Sequence, residues 1–278
     1  MQLFVDNLTN LDFSYLHPTR GVVGETWLAS VVLDGALDEQ GMVCDFGIVK
    51  KMLREWLDNE IDHRLLVPTQ SSALTISPPA DRASLSWPIS SKGTLSTDCP
   101  EQAIARVTAE SITPESVAQW AITQLQPLFP QSVNKLSLTF TPEVITTPFY
   151  HYSHGLKKHG GNCQRIAHGH RSKIEIWRNG ELSLADMSAW ADLWADIYIG
   201  TEEDAVSTQG EHTAFVYTAQ QGEFSLKLPS ACVYMINTDT TVEFIAQHIA
   251  NTLKQQTPAD SFTVKAYEGL AKGAIASS

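Results

Sequence analysis

Three histidines and one cysteine carry the strongest chemical signal in the chain. His168 and His170 stand two residues apart in His168-Gly-His170, at the head of an alternating segment, Lys173-Ile-Glu-Ile-Trp177. Residues two apart on a β-strand share a face, so both imidazoles point the same way. His154 lies on the preceding strand-like segment, which a hairpin brings alongside. Three imidazoles with a fourth position open make the ligand set of a catalytic zinc ion. Cys163, five residues before His168, admits two roles. It is either a fourth ligand that closes the site, or a thiolate base or nucleophile whose pKa is lowered by the metal and nearby cations. Spacing does not choose between them.

The charge around these residues departs from the rest of the chain. Across 278 residues, 19 Lys and Arg face 31 Asp and Glu, a net charge of −12. That balance argues against a general nucleic-acid binder and against a binder of anionic membranes. Yet no acidic residue falls between Val144 and Ile174, a stretch with five of the nine histidines (His151, His154, His159, His168, His170). The same stretch carries Lys157, Lys158, Arg165, Arg171 and Lys173, a local positive patch suited to a small anionic ligand. No apolar run is long enough for a membrane-spanning helix. The first residues lack the basic start and apolar stretch of a signal peptide, so a cytoplasmic location is expected. Cys44, Cys99, Cys163 and Cys232 are scattered without a CxxC pair, which excludes a disulfide framework.

The elements that must position these groups repeat along the chain. Phe13-Ser-Tyr-Leu-His17 and Tyr150-His-Tyr-Ser-His154 each set an aromatic residue four positions before a histidine. Each leads through a loop into an alternating segment that ends in a glycine turn, at Asp34-Gly35 and Asn179-Gly180, which predicts strand, loop, strand, turn. An amphipathic helix follows in each half, over Val49–Ile61 and Met187–Ile197. Second helices over Ser116–Leu125 and Thr241–Leu253 align without gaps at an offset of 128, and strands over Lys135–Phe140 and Thr263–Tyr267 follow them. Residues 77–99, rich in Pro and Ser, read as an inserted loop, and Asp204–Leu228 as extra strand-like material.

At this point a family resemblance emerges. Cys163-x4-His168-Gly-His170 with His154 upstream resembles the 6-pyruvoyl-tetrahydropterin synthase and 6-carboxytetrahydropterin synthase family. So do Gly41-Met-Val-Cys-Asp45-Phe46-Gly47 and, after the helix, Leu57-Asp-Asn-Glu-Ile-Asp62-His63-Arg64-Leu65-Leu66. Val264-Lys-Ala-Tyr267-Glu268 is similar to the family's last strand. The resemblance implies an α+β fold of two tandem tunnelling-fold units, residues 1–144 and 145–278, with antiparallel sheets carrying helices on one face. It also implies Zn2+ on His154, His168 and His170, with Glu268 anchoring a pterin ring. Cys163 would then act with an Asp–His pair from a neighbouring unit.

The copies differ in what they keep. Matched on the aromatic–histidine motif, the first copy offers His17, Val23 and Glu25 in place of the three histidines and has no loop cysteine. An offset of 128 puts Phe140 opposite Glu268. The first copy does keep Asp62-His63, where the second has Glu202-Glu203-Asp204. Complementary losses predict one composite site, with metal ligands, Cys163 and Glu268 from the second copy and Asp62-His63 from the first. The implied substrate is the pterin triphosphate 7,8-dihydroneopterin triphosphate, and the expected product is 6-carboxytetrahydropterin, on the route to deazapurines such as queuosine. Competing readings are a 6-pyruvoyl-tetrahydropterin synthase, a non-catalytic pterin-binding scaffold and another zinc-dependent lyase or hydrolase. Open sheet edges predict a homo-oligomer, with a trimer of two-copy chains matching the family's six units.

Overall fold

A computed structural model describes residues 1–208 and 210–278. The first copy opens with a long hairpin, β1 (Gln2–His17) and β2 (Gly21–Gly35), followed by α1 (Phe46–Glu60), β3 (Leu65–Pro68) and β4 (Thr75–Ile76). A second hairpin, β5 (Arg82–Ile89) and β6 (Gly93–Pro100), leads to β7 (Ile104–Val107), α2 (Pro114–Leu125) and β8 (Val133–Pro142). The second copy repeats the order with β9 (Phe149–His154), β10 (His168–Arg178), a short β11 (Glu181–Leu182), α3 (Leu184–Leu193), β12 (Ile197–Thr201) and β13 (Ala205–Ser207). It continues with β14 (His212–Ala219), β15 (Gly222–Pro229), β16 (Val233–Ile236), α4 (Val242–Gln256) and β17 (Phe262–Tyr267), and β18 (Gly273–Ser277) closes the chain. Among the described residues no helix is long and apolar enough to cross a membrane.

Local chemistry sets the helix ends. The Asp45 carboxylate accepts from the N–H groups of Gly47 and Ile48, and Thr113 and Ser116 form a reciprocal capping box with Pro114 in the first turn. Val49, Leu53 and Leu57 form the buried stripe of α1. They join Phe13, Trp27, Val117 and Leu125 in the first copy's core. Trp190, Trp194, Ile245 and Ile249 cover Tyr150, Ile174 and Val264 in the second. α3 ends at Leu193, short of the expected Ile197, because Asp196 takes a left-handed turn (φ 57) and Ile197 already belongs to β12.

The strands form three sheets. One runs β7-β3-β1-β2-β8, the second β16-β12-β9-β10-β17-β18 with β11 on β10, and the third β13-β14-β15-β6-β5-β4. The first two are mixed rather than purely antiparallel, since β1–β3, β3–β7, β9–β12 and β12–β16 pair in parallel. Residues 77–99 are not an inserted loop. They hold the β5–β6 hairpin, and 204–228 is its repeat. Buried Ala83, Leu85, Trp87 and Ile89 alternate with more exposed Ser84, Ser86 and Pro88, a strand pattern that small polar residues disguise. β6 pairs antiparallel with its counterpart β15, Thr97 opposite Leu226. The third sheet is therefore shared, and the copies are related by a local two-fold axis. A third core, with Leu16, Trp87, Leu95, Phe215, Phe224 and Leu226, lies under it.

Strand register fixes which residues correspond. Ser14 lies opposite Gly24 and Leu65, and Ser153 lies opposite Gly169 and Tyr198. Tyr15, not His17, is therefore the counterpart of His154. The aromatic–histidine match runs two residues out of register, a slip that preserves the face because strand alternation has a period of two. Ala29 faces Phe140 as Ile174 faces Ala266, so Glu268 corresponds to Pro142 rather than Phe140. His63 (φ 55) and Asp196 (φ 57) occupy the same left-handed turn. The counterpart of Asp62-His63 is accordingly Ala195-Asp196, not the Glu202–Asp204 segment.

The copies touch most closely where Gly24 meets its counterpart Gly169. A methyl group on Gly24 would strike the Tyr152 carbonyl and the His170 backbone nitrogen, and one on Gly169 would strike the same carbonyl and the Gly24 Cα. The Ser14 and Ser153 hydroxyls bond across the axis at 2.7 Å. Gly24→Ala is expected to lower stability to chemical denaturation by about 2–4 kcal/mol. Gly160→Ala, where nothing lies within 4 Å of the added carbon, is expected to stay within about 0.5 kcal/mol of the parent.

Candidate active site

β9 and β10 pair His154 directly with His168, and the alternation of β10 turns His170 to the same face. All three imidazoles are fully buried, and one ring nitrogen from each lies within 4.8 Å of the others. His154 Nδ1 donates to the Thr240 carbonyl at 3.0 Å, and His168 Nδ1 donates to the Arg165 carbonyl at 2.9 Å. Both bonds fix the tautomer with Nε2 as the free acceptor. His154 Nε2 lies 3.3 Å from His170 Nε2, and His168 Nε2 is buried with no hydrogen-bond partner among the described residues. Burial, reinforced by the neighbouring imidazoles, holds His154 and His168 well below the usual histidine range, in the neutral form that binds metals. Two nitrogens on a tetrahedral ion with Zn–N of about 2.0–2.1 Å sit about 3.3 Å apart. An orphaned nitrogen and this spacing fit a divalent metal.

The first copy supplies a second group of residues to the same place. His63 packs at a tilt against His168, ring centroids 4.9 Å apart. Its Nδ1 bonds to the Asp62 carboxylate. His63, Cys163 and His168 offer atoms that also lie within 4.8 Å of one another. Burial disfavours a charged His63 ring, yet Asp62 and Cys163 outweigh it and raise the imidazole to about 10. The turn that presents this pair is anchored on β1: the Asp12 N–H donates to Asp62 Oδ1 at 2.8 Å, and the His63 N–H donates to the Asp12 carbonyl at 2.7 Å. The loop bearing Cys163 is held by the shared sheet. Tyr217 donates to the Gln164 carbonyl at 2.7 Å, the Gln221 N–H donates to Gln164 at 2.6 Å, and Arg165 reaches the Asp62 carbonyl at 3.4 Å.

Glu268, just past β17, brings Oε1 to 3.6 Å from His170 Nε2 and keeps a partly exposed carboxylate. Sequence reasoning missed two neighbours. Asp12 lies 3.2 Å from His170 Nδ1, and Lys272 lies 3.2 Å from Asp12. The only sequence sign of Asp12 is an acid set between Leu11 and Phe13 inside an apolar strand. The stretch without acids is not acid-free in space. Lys157 and Lys158 pair with Glu203, Asp204 and Asp239. Arg165 is bonded as above, Arg171 donates to the Glu143 carbonyl, and Lys173 sits over the Tyr267 ring. Folding thus pairs Lys157 and Lys158 with acids, whereas Arg165, Arg171 and Lys173 are engaged by uncharged groups.

The family model for 6-pyruvoyl tetrahydropterin synthase matches the chain twice, over residues 10–148 and 143–277. The chain belongs to the 6-pyruvoyl tetrahydropterin synthase family. It does so as two tandem copies of the tunnelling fold. No curated protein matches it. Among solved structures, a catalytic-residue mutant of the Plasmodium vivax synthase is 17% identical over 51% of this chain and 98% of its own, with a TM-score of 0.39. The Plasmodium falciparum synthase is 15% identical over the same shares, also with a TM-score of 0.39.

For a synthase-family chain with two copies, the opposite end of the two-fold axis is informative. There Tyr15, Val23 and Glu25 stand where His154, His168 and His170 stand at the first site. Arg20 grips Asp196 with two bonds, of 2.8 and 2.5 Å, and donates to Tyr15 at 3.2 Å. His151, the counterpart of Asp12, donates to the Gly24 carbonyl at 2.7 Å and lies 3.9 Å from Glu25. A self-neutralising cluster of charges occupies this end. Burial dominates at Glu25 and, despite Arg171 and Arg20, raises its carboxyl from 4.5 to about 7. The folded protein therefore favours protonated Glu25. That contribution is complete below pH 4.5, is lost as pH rises through 7 and is worth about 3 kcal/mol. Glu25→Gln removes the titration. The stability of the parent relative to this variant is expected to fall by about that amount between pH 4.5 and 8 in urea titrations.

Proposed function

We propose that this chain is a zinc-dependent tetrahydropterin synthase that converts 7,8-dihydroneopterin triphosphate, with water, to 6-carboxytetrahydropterin, acetaldehyde and triphosphate. The observation that carries the reading is the approach of Asp62-His63 from the first copy to Cys163 and the three histidines of the second. His154, His168 and His170 would hold the ion through Nε2. A bound zinc would polarise the oxygens of the substrate side chain and acidify the adjacent C–H bonds.

The residues of the chain do the rest. Cys163 and His63 offer proton acceptor and donor in contact with each other, with Asp62 fixing the His63 ring through Nδ1. Glu268 presents an acceptor beside the metal ligands, suited to the N–H edge of a pterin ring and to fixing the ring before reaction. Its partial exposure, with that of His63 and Lys272, supports substrate entry from that side. The same set of residues suits a 6-pyruvoyl product, and product mass distinguishes the two. The free edges of β7, β8, β16 and β18 support association with further chains through the sheets, and three chains would give six units.

Zinc-replete protein incubated with dihydroneopterin triphosphate is expected to yield 6-carboxytetrahydropterin by mass spectrometry. His63→Ala and Cys163→Ala are each expected to lower kcat by roughly 10²–10⁴-fold with zinc content retained, whereas His168→Ala loses the zinc. Absence of turnover by the zinc-replete parent would favour a binding scaffold instead.

A further inference from the structure

Asp12 reaches from β1 of the first copy into the histidine cluster of the second. It is 1% exposed, and its Oδ1 lies 3.2 Å from His170 Nδ1. Among the described residues that nitrogen has no well-directed hydrogen bond, whereas Nδ1 of His154 and of His168 is each engaged by a backbone carbonyl. A buried carboxylate is costly unless its oxygens are satisfied. Here Thr26 donates to Oδ1 at 2.6 Å and Lys272 approaches Oδ2 at 3.2 Å. The carboxylate is thus held charged and in place. Gly269 lies so close that a methyl group there would strike Oδ1.

The opposite end of the two-fold axis sharpens the comparison. There the same two positions hold His151 and Glu25, with the imidazole and carboxylate exchanged between copies and 3.9 Å apart. A carboxylate beside an imidazole occurs at both ends. Only beside Asp12 does the imidazole turn its other nitrogen towards a second histidine.

We propose that Asp12 is the positioning residue for His170. It accepts a hydrogen bond from the Nδ1–H, fixes the tautomer whose Nε2 lone pair faces the metal position, and strengthens that nitrogen as a ligand through its charge. The backbone of the same residue holds Asp62 and His63, so one residue of the first copy aligns both the metal ligand and the acid–base pair. This inference rests on reading the three histidines as a metal site.

The test is zinc affinity of the full chain by competition with a chromophoric chelator, with thermal unfolding of the metal-free protein measured alongside. Asp12→Ala is expected to weaken zinc binding by about 10–100-fold. Asp12→Asn, which keeps an acceptor and loses the charge, is expected to give a smaller loss and to shift the visible bands of the Co2+-substituted protein at unchanged unfolding temperature. The Asn variant carries the test where the Ala variant does not fold. A folded Asn variant with parental zinc affinity and an unchanged cobalt spectrum would overturn the role of Asp12 and leave the metal site standing. A parent chain that binds no zinc would overturn both.

Discussion

There is no room for a methyl group where the two copies meet, and the rest of the architecture depends on that closeness. Gly24 and Gly169 let the β1–β2 and β9–β10 hairpins cross with backbone against backbone, and Ser14 and Ser153 bond at the crossing. Because the contact is so short, β1 carries Asp12 into the second copy's histidines, and the turn after α1 carries Asp62 and His63 to Cys163. The shared third sheet clamps the copies from the other side and holds the Cys163 loop through Tyr217 and Gln221. Packing at the axis and chemistry at the site are two results of one approach of backbones.

A two-fold axis offers two equivalent sites, and this chain has made them different. At one end, His154 and His168 are held neutral with Nε2 as the acceptor, and His170 turns its own Nε2 towards them, an arrangement that favours a cation. At the other, Arg20 and Asp196 satisfy each other, and Glu25 and His151 remain buried beside Arg171. Among the described residues that end offers no such ligand set. The copies contribute different side chains to one place, the second its three histidines and Cys163 and the first Asp12, Asp62 and His63.

Much of this was legible in the sequence. The repeat, the helices and the family followed from periodicity and from HGH and DHRLL motifs, because those signals are local. The β5–β6 hairpin was not, since serine and proline hid an alternation of Ala83, Leu85, Trp87 and Ile89. The register of the copies was misread by two residues, because a shift of two leaves every side chain on its face and only strand pairing resolves it. Asp12 was invisible for a different reason. Its importance comes from a contact with a residue 158 positions away, and no spacing rule reports such a distance. The acids that neutralise Lys157 and Lys158 likewise come from outside the window that was acid-free.

The central claim is that one chain completes its own site from its two copies. Chains bearing His63→Ala and chains bearing Cys163→Ala, co-expressed so that they assemble together, test it through turnover of dihydroneopterin triphosphate. The mixture is expected to stay as inactive as either variant alone, because the missing group cannot be supplied by another chain. Recovery of a substantial part of parental turnover on mixing would contradict it, and would mean that the site is built between chains.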